Sequence, residues 1–365
     1  MSNEIPYLDI KKHSRCHKMF LSVLPNKYQS EDSNKLAIAY FSLSSLKLMN
    51  TLESTFSESE RKGFIEFIYL HLIVFDDISG FRGSFIYLKN DKNSIDIAST
   101  CFALQCLLIL GDDLKRLNKF KILNFVKILQ LSNGGFKNSI NSNFENDVRY
   151  CMIATTICKI LVNNFENFIN LKNLQKFIYN LQNFDGGFSM FKGDESHCGM
   201  IFCAIDSLSL ISSLSSSSSS KLNFNKLIDF LTHRQISFNK FNELELENNE
   251  FSDINDIGGF NGRINKYGDT CYVFWVLGSL KLLGFLNLIN KNLALNFLLN
   301  KTQNKTLGGF NKTTDPDELP DPLHSYLGLC ALSLLNHPDL ESLNTELVIP
   351  QSSYENYLKK RDEII

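Results

Sequence analysis

The sequence predicts an all-α fold, and two observations support that prediction. Long segments carry apolar residues at positions i, i+3, i+4 and i+7, the spacing of one helix face, whereas alternating β patterns are scarce. The tripeptide Gly-Gly-Phe also recurs at 134–136, 186–188, 258–260 and 308–310, each time after a helical segment. Segments with the helical pattern are 117–130, 152–165, 286–300 and 324–335.

The spacing of the Gly-Gly-Phe tripeptides indicates a repeat of about fifty residues. Successive copies lie 52, 72 and 50 residues apart. The long interval holds two insertions, a serine tract at 212–220 and a polar run at 238–256, which we interpret as solvated loops. GFRGS at 80–84 precedes the first copy by 54 residues and reads as a degenerate copy.

Each repeat is predicted to be a helix, a Gly-Gly-Phe turn, a variable loop and a second helix. The glycines would end the first helix because they adopt positive φ, and the phenylalanine would fill the core. Such hairpins bury their apolar faces only by stacking on neighbours. Stacking gives either an extended solenoid or a closed ring, and periodicity does not choose between them.

Composition narrows the classes of protein and partner. The 365 residues carry a net charge of −2, which gives no electrostatic case for nucleic acid or an anionic membrane surface. Nine scattered cysteines favour buried, reduced thiols in a cytoplasmic protein over a disulfide framework. The first twelve residues have no apolar core and so do not read as a signal peptide, and the longest apolar run, at 101–110, is too short to span a bilayer. We expect a single domain over 1–365, with 341–365 as a C-terminal tail.

Polar residues recur at similar positions in the repeat, near the start of the second helix. His197 and Asp269 each lie eleven residues after the first glycine of their units, and His324 lies sixteen residues after its own. Arg149 has a comparable position, fifteen residues after the first glycine of its unit. If the units stack equivalently, these side chains project from the same end of successive helices, and in a ring they converge.

Asp269, Cys271 and His324 form a candidate metal site. Asp269 suits a helix N-cap, and a helix N-terminus favours the thiolate of Cys271 in the first turn. Three protein ligands with one open position are typical of catalytic zinc, whereas structural zinc sites are closed by four. The simpler alternatives are a helix cap, a buried inert thiol and a surface histidine.

A candidate anion site lies next to this metal site. Arg263, Lys266, Tyr272 and His197 would place two cations, a phenol and an imidazole beside helix N-termini, which suits a diphosphate. The alternative for the two cations is a solvated loop. Nearby aromatic residues could line an apolar lumen or fill the core: Tyr40, Phe41, Phe102, Tyr150, Phe274 and Trp275.

These motifs resemble the β subunits of protein prenyltransferases, especially the type I geranylgeranyltransferase branch. The resemblance spans roughly residues 13–340 and implies a closed α/α toroid whose funnel holds an isoprenoid. It rests on the spaced Gly-Gly-Phe repeats and on GRINKYGDTCYVFW (262–275), DPLHSYLGLCALSL (321–334), FENDVRYC (144–151), ESHCGMIFC (195–203), LPNKYQSEDSNKLAIAYFSLSSL (24–46) and ILGDDL (109–114).

The resemblance implies roles for these residues. Asp269, Cys271 and His324 would bind zinc, which would hold the thiolate of a substrate protein's C-terminal CaaX cysteine. Arg149 would help to hold the C-terminus of the peptide. The diphosphate of the prenyl donor would contact His197, Arg263, Lys266 and Tyr272, and the isoprenoid pocket would include Ala37, Phe41 and Trp275.

Three positions bear on the branch of the family. Farnesyltransferase β subunits carry a bulky Trp where this chain has Ala37, so Ala37 leaves room for a fourth isoprene unit, although threonine is expected there in the type I branch. Lys312 replaces an aspartate that helps to bind magnesium, which implies that magnesium is not required. Asp96 replaces a histidine near the pocket for the last CaaX residue, which makes selectivity for leucine there harder to assign.

The resemblance also implies partners. It predicts an obligate heterodimer with a helical α subunit, geranylgeranyl diphosphate as donor, and CaaX-ending small GTPases of the Rho, Rac and Rap type as acceptors. The alternatives are a farnesyltransferase β subunit, a Rab-type enzyme that reads no CaaX box, and a non-catalytic helical-repeat scaffold with a structural zinc.

Overall fold

A computed structural model describes residues 7–142, 147–212, 214, 222–237 and 248–362, so most of the serine tract and the first half of the polar run lie outside it. The described chain is mainly helical, as predicted, with two short antiparallel hairpins, β1–β2 (Leu72–Val74, Ser79–Phe81) and β3–β4 (Leu343–Asn344, Ile349–Pro350). Within these residues, every helix is too short or too polar to cross a membrane. The helices are α1 (Ile10–Ser22), α2 (Lys35–Leu48), α3 (Leu52–Thr55), α4 (Glu58–Tyr69), α5 (Ile97–Ile109), α6 (Lys119–Leu129), α7 (Val148–Leu161), α8 (Leu171–Tyr179), α9 (Cys198–Leu210), α10 (Phe224–Thr232), α11 (Thr270–Leu283), α12 (Lys291–Asn296, continued by a π-helical turn over Phe297–Thr302), α13 (Pro322–Leu334) and α14 (Gln351–Asp362).

The hairpins close into a ring. Helices α2, α5, α7, α9, α11 and α13 each pack against the next one, and α13 packs against α2. Helices α1, α4, α6, α8, α10 and α12 alternate with them along the chain. Because α13 returns to α2, the fold is a closed α/α toroid and not an open solenoid.

Burial separates the inner helices from the outer ones. In the inner helix α9, all but one of the thirteen residues are buried. In the outer helix α8, only Leu174, Phe177 and Ile178 are buried. A helix that is apolar on all sides requires protein on all sides, whereas an amphipathic helix lies at the surface.

The Gly-Gly-Phe turns differ from the expectation in one respect. The first glycine has a positive φ, 101° at Gly134, but α6 already ends at Leu129. A Cβ on Gly134 would lie 2.1 Å from the carbonyl oxygen of Asn173 in α8, so the glycine is required by the close approach of the next outer helix. The same approach recurs at Gly186, Gly258 and Gly308, and the phenylalanines Phe136, Phe188, Phe260 and Phe310 are fully buried.

A glutamine before each turn joins neighbouring outer helices, which the sequence analysis did not foresee. The side-chain amide of Gln130 donates to the carbonyl oxygen of Asn170 and accepts from its backbone N–H, at 3.2 and 2.7 Å. Gln303 closes the ring in the same way, because it donates to Tyr7 and accepts from the N–H of Asp9, each at 3.1 Å. We call this contact the glutamine clasp, and it recurs between Gln182 and Asn223 and between Gln235 and Asn290.

The segment expected as a C-terminal tail is folded onto the ring. The turn between β3 and β4 is buried, and its carbonyl oxygens accept hydrogen bonds from inner-helix side chains. Tyr40 and Tyr326 both donate to the carbonyl of Val348, and Gln105 donates to that of Leu347 at 2.8 Å. Residues 343–350 therefore insert among α2, α5 and α13, and α14 packs against α5.

Gln303→Ala tests the clasp that closes the ring. We expect it to lower the free energy of unfolding by about 1–3 kcal/mol, because it leaves the Tyr7 carbonyl and the Asp9 N–H without partners. Denaturant unfolding measures the change. Gln29→Ala is the matched control, since Gln29 is exposed and its amide donates to the nearby side chain of Asn26. Equal stability of the two variants would contradict a structural role for the clasp.

Candidate active site

The inner helices begin with polar N-caps at one end of the ring. Because an outer helix returns the chain between successive inner helices, the inner helices run parallel, and their first residues lie together. This supports the expected convergence of the polar residues, but one of the residues taken as equivalent in the repeat is different. The residue equivalent to His197 and Asp269 in the last unit is Asp321, and not His324. The side chains that cap α5, α7, α9, α11 and α13 are those of Asp96, Asp147, His197, Asp269 and Asp321.

Asp269, Cys271 and His324 come together as the sequence predicts. One ligand atom from each lies within 4.8 Å of the other two. The Oδ1 of Asp269 accepts from the N–H of Cys271 at 2.7 Å and lies 3.4 Å from the Nε2 of His324. The cluster is largely buried, because α11 and α13 pack side by side.

Asp321 supports this cluster and was missed by the sequence analysis. Its Oδ1 accepts from the backbone N–H of His324 at 2.9 Å, and its Oδ2 lies 2.6 Å from His324 Nδ1. With Nδ1 held in this way, Nε2 is directed toward Asp269, the arrangement that orients a metal-binding histidine. An aspartate followed by proline is a helix-start signal, so Asp-Pro three residues before His324 could have revealed this role.

The electrostatics of the cluster fit a cation. Burial and the charge of Asp269 raise the pKa of Cys271 to about 12, which overrides the expected preference of the helix N-terminus for a thiolate. Burial would lower the pKa of His324, but hydrogen bonds to Asp269, Asp321 and Cys271 raise it to about 12. Hydrogen bonding and charge from His324 lower the pKa of Asp269 despite its burial. A carboxylate, a thiol and an imidazole form a donor set suited to zinc, whose charge would favour the thiolate and replace the imidazole proton.

His197 and Tyr272 form a second polar pair on the adjacent helices α9 and α11. The Nδ1 of His197 accepts from the N–H of Gly199 at 3.0 Å, so the neutral ring carries its proton on Nε2. Nε2 lies 2.9 Å from the Tyr272 hydroxyl oxygen and donates to it, which leaves the phenol O–H free to donate elsewhere. Burial and the nearby charge of Arg263 lower the pKa of His197, which favours this neutral form.

The candidate cations have different surroundings. Arg263 lies 3.4 Å from Glu195, and its charge acts on both His197 and Tyr272. Lys266 is turned toward the ring of Phe251, 3.9 Å from the centroid. Lys312 is exposed, and its backbone carbonyl accepts from the N–H of Thr270 at the start of α11. The described contacts thus place Arg263 near the His197–Tyr272 pair and Lys266 on Phe251.

Arg149 is held at the start of α7. Its guanidinium donates to both carboxylate oxygens of Asp147, with the shortest contact at 2.7 Å. Asp147 is buried, whereas nearly half of the Arg149 side chain is exposed. The buried carboxylate therefore fixes an accessible guanidinium at the same end of the ring as the metal cluster.

The inner helices carry two groups of aromatic side chains in mutual contact. Trp275 lies 5.3 Å from Phe202 and 5.1 Å from Phe274, measured between ring centroids. Ala37 lies one helical turn before Phe41 and borders a cavity of about 250 Å³ together with Asp96 and Phe102. A second aromatic group, with centroids 5.2–5.9 Å apart, comprises Tyr40, Phe41, Phe102 and Tyr326.

Comparisons with known proteins agree with this architecture. The model of the prenyltransferase alpha-alpha toroid domain matches residues 8–349. The β subunit of geranylgeranyl transferase type-1 from Arabidopsis thaliana is 33% identical over 93% of this chain and 88% of its own length. The solved Candida albicans protein geranylgeranyltransferase-I, complexed with GGPP, superposes with a TM-score of 0.87 at 37% identity, over 97% of this chain and 99% of that one.

A more partial similarity connects the chain to another prenyltransferase. The β subunit of protein farnesyltransferase from Pisum sativum is 30% identical over 51% of this chain and 38% of its own length. The similarity to the type-1 geranylgeranyl subunit is therefore the more extensive of the two. These findings confirm the resemblance to prenyltransferase β subunits, and this chain belongs to the prenyltransferase alpha-alpha toroid family.

Proposed function

We propose that this chain is the catalytic β subunit of a zinc-dependent protein geranylgeranyltransferase type I. It would transfer a geranylgeranyl group from geranylgeranyl diphosphate to the cysteine of a C-terminal CaaX motif, forming a thioether. The observation that carries the proposal is the Asp269–Cys271–His324 cluster, which lies beside the His197–Tyr272 pair on adjoining inner helices. The extensive similarity to a type-1 geranylgeranyl subunit supports it.

The metal cluster would serve the acceptor cysteine. Bound zinc supplies positive charge that keeps an incoming thiol as thiolate at neutral pH. Asp269, Cys271 and His324 would hold it, and Asp321 would keep His324 Nε2 directed at it. Among the described residues these three form the metal cluster, so a fourth position remains for the substrate thiolate. A structural zinc in a scaffold would need a fourth protein ligand.

The donor side would stabilise the leaving diphosphate. As the bond between C1 and the diphosphate oxygen breaks, negative charge grows on the diphosphate, and donors already aimed at it lower the barrier. The O–H of Tyr272 and the guanidinium of Arg263 would be such donors, and the bond from His197 Nε2 to the Tyr272 oxygen would orient the phenol. Lys266 and Lys312 would add charge, which removes the need for magnesium.

The lumen would accept the geranylgeranyl chain. Trp275 and Phe41 belong to the aromatic groups of the inner helices, and Ala37 leaves space where a tryptophan would block it. Asp96 borders the same cavity as Ala37, and burial raises its pKa to about 6. Arg149 would contact the peptide C-terminus. In this proposal the protein acts in the cytoplasm with an α subunit on CaaX-ending small GTPases of the Rho, Rac and Rap type.

Zinc retention tests the metal site independently of activity. Cys271→Ala is expected to lose zinc during purification, measured as metal per chain. Asp321→Asn keeps a good N-cap but places an amide N–H₂ against His324 Nδ1, so zinc affinity should fall about 10- to 100-fold in a chelator competition. Asp96→Asn, which alters the N-cap of α5, is the matched control and should retain zinc. Full zinc retention by Cys271→Ala would refute the ligand assignment.

The choice of prenyl donor tests whether the chain belongs to the geranylgeranyltransferase or the farnesyltransferase branch. Farnesyl and geranylgeranyl diphosphate compete for transfer to peptides ending in CaaL or CaaM, with and without magnesium, and the prenylated products are measured. We expect geranylgeranyl transfer to dominate without magnesium, because Ala37 leaves space and Lys312 supplies charge. Farnesyl preference together with magnesium dependence would assign the chain to the farnesyltransferase branch.

Co-expression tests the heterodimer. The chain purified alone is expected to be inactive, and the chain co-expressed with a prenyltransferase α subunit is expected to be active, because the proposed enzyme is an obligate heterodimer. Transfer of labelled prenyl groups to a CaaL peptide measures both preparations. Equal activity of the two preparations would rule out an obligate partner.

A further inference from the structure

The described part of the polar insertion packs against the loop that carries the candidate cations. The Phe251 ring meets the ring of Tyr267 edge-on, with centroids 5.5 Å apart, and the Tyr267 hydroxyl donates to the carbonyl of Glu250 at 2.5 Å. The ammonium of Lys266 lies over the face of Phe251, 3.9 Å from the centroid. Three contacts thus join residues 250–251 to residues 266–267.

Local backbone geometry favours this contact. The Oδ1 of Asn249 accepts from the N–H of Phe251 at 3.0 Å, and Ser252 donates to the carbonyl of Asn249, so a tight turn presents the Phe251 ring. Between the two cations, Asn265 has φ of 56°, a left-handed conformation that reverses the chain locally. Arg263 therefore faces Glu195, and Lys266 faces Phe251.

Lys266 in this position lines a cavity on the outer side of the loop. The cavity has a volume of about 340 Å³ and is bordered by the end of α10 and by the insertion. Its lining includes Phe251, Arg234 and Asp253, and, over the described residues, not His197 or Tyr272. As placed, the Lys266 ammonium contacts the Phe251 ring and borders a cavity whose described lining does not include Tyr272.

We infer that Phe251 is a positioning residue that withholds Lys266 from the prenyl diphosphate until the donor binds. This inference rests on the proposed function and gives the insertion a role in donor affinity. A cation over an aromatic face at a partly exposed site is stabilised enough to change a binding constant by about two- to fivefold. Donor binding has to overcome that stabilisation.

Calorimetric titration of geranylgeranyl diphosphate into the zinc-loaded enzyme, co-purified with its α subunit, tests the inference. Phe251→Leu keeps an apolar side chain against Tyr267 but removes the ring face, so the Kd should fall about two- to fivefold. Phe251→Tyr restores the ring face and should restore the wild-type Kd. Phe184→Leu is the matched control, because Phe184 is 90% exposed in a different Gly-Gly-Phe turn, and it should leave the Kd unchanged.

A double-mutant cycle identifies Lys266 as the mediator. Lys266→Ala alone should weaken donor binding by about tenfold or more, since it removes a charged hydrogen bond. In that background Phe251→Leu should have no further effect. An unchanged or higher Kd for Phe251→Leu, or an equal decrease with and without Lys266, overturns the inference and leaves the proposed function intact. A wild-type heterodimer that binds no prenyl diphosphate overturns both.

Discussion

The side chain of Gln303 joins the end of α12 to residues 7–9, just before α1, and the site depends on this closure. Its amide holds the backbone of Tyr7 and Asp9, and its Oε1 also lies 3.1 Å from His13 Nε2, while His13 Nδ1 accepts from the N–H of Gly309. Burial lowers the pKa of His13 to about 4, so the ring is neutral and can accept this bond. The clasp closes the outer layer while α13 packs against α2 in the inner layer, so the inner helices enclose a common axis and their N-termini meet at one end.

That common end explains why polar chemistry concentrates there. Parallel inner helices direct the positive ends of their dipoles to the same face, where each first turn has backbone N–H groups without helical partners. The caps satisfy some of these groups, and Asp269 also contributes to the metal cluster. The metal cluster combines a carboxylate with a protonated imidazole and a buried thiol, which a divalent cation can reorganise. Closure and capping therefore bring the Asp269–Cys271–His324 cluster and the His197–Tyr272 pair onto adjacent helices.

Much of this site could be predicted from local sequence. Asp269 and Cys271 are close in sequence at a helix start. The positions of His197 and His324 near the starts of the corresponding helices linked them to this pair, although the true equivalent of Asp269 in the last unit is Asp321. Asp321 was also within reach, because it is local to His324 and precedes a proline. The raised pKa of Cys271 could not be predicted locally. Its burial depends on residues packed from other helices, and the effect of burial on the pKa outweighs that of the helix N-terminus. The contact of Lys266 with Phe251 could not be predicted either, because it requires the polar insertion to pack against the loop that carries Lys266.

The sequence by itself determined the helical class, the hairpin repeat and the candidate ligands, because periodicity, glycine spacing and capping act over a few residues. Only the tertiary structure decided that the repeats close, that 343–350 fills the space among α2, α5 and α13, and which neighbour holds each cation. Closure depends on the packing of α13 on α2 and on contacts such as that of Gln303 with Tyr7, between residues nearly three hundred positions apart. Such contacts follow from the packing of the whole ring, and no local pattern encodes them.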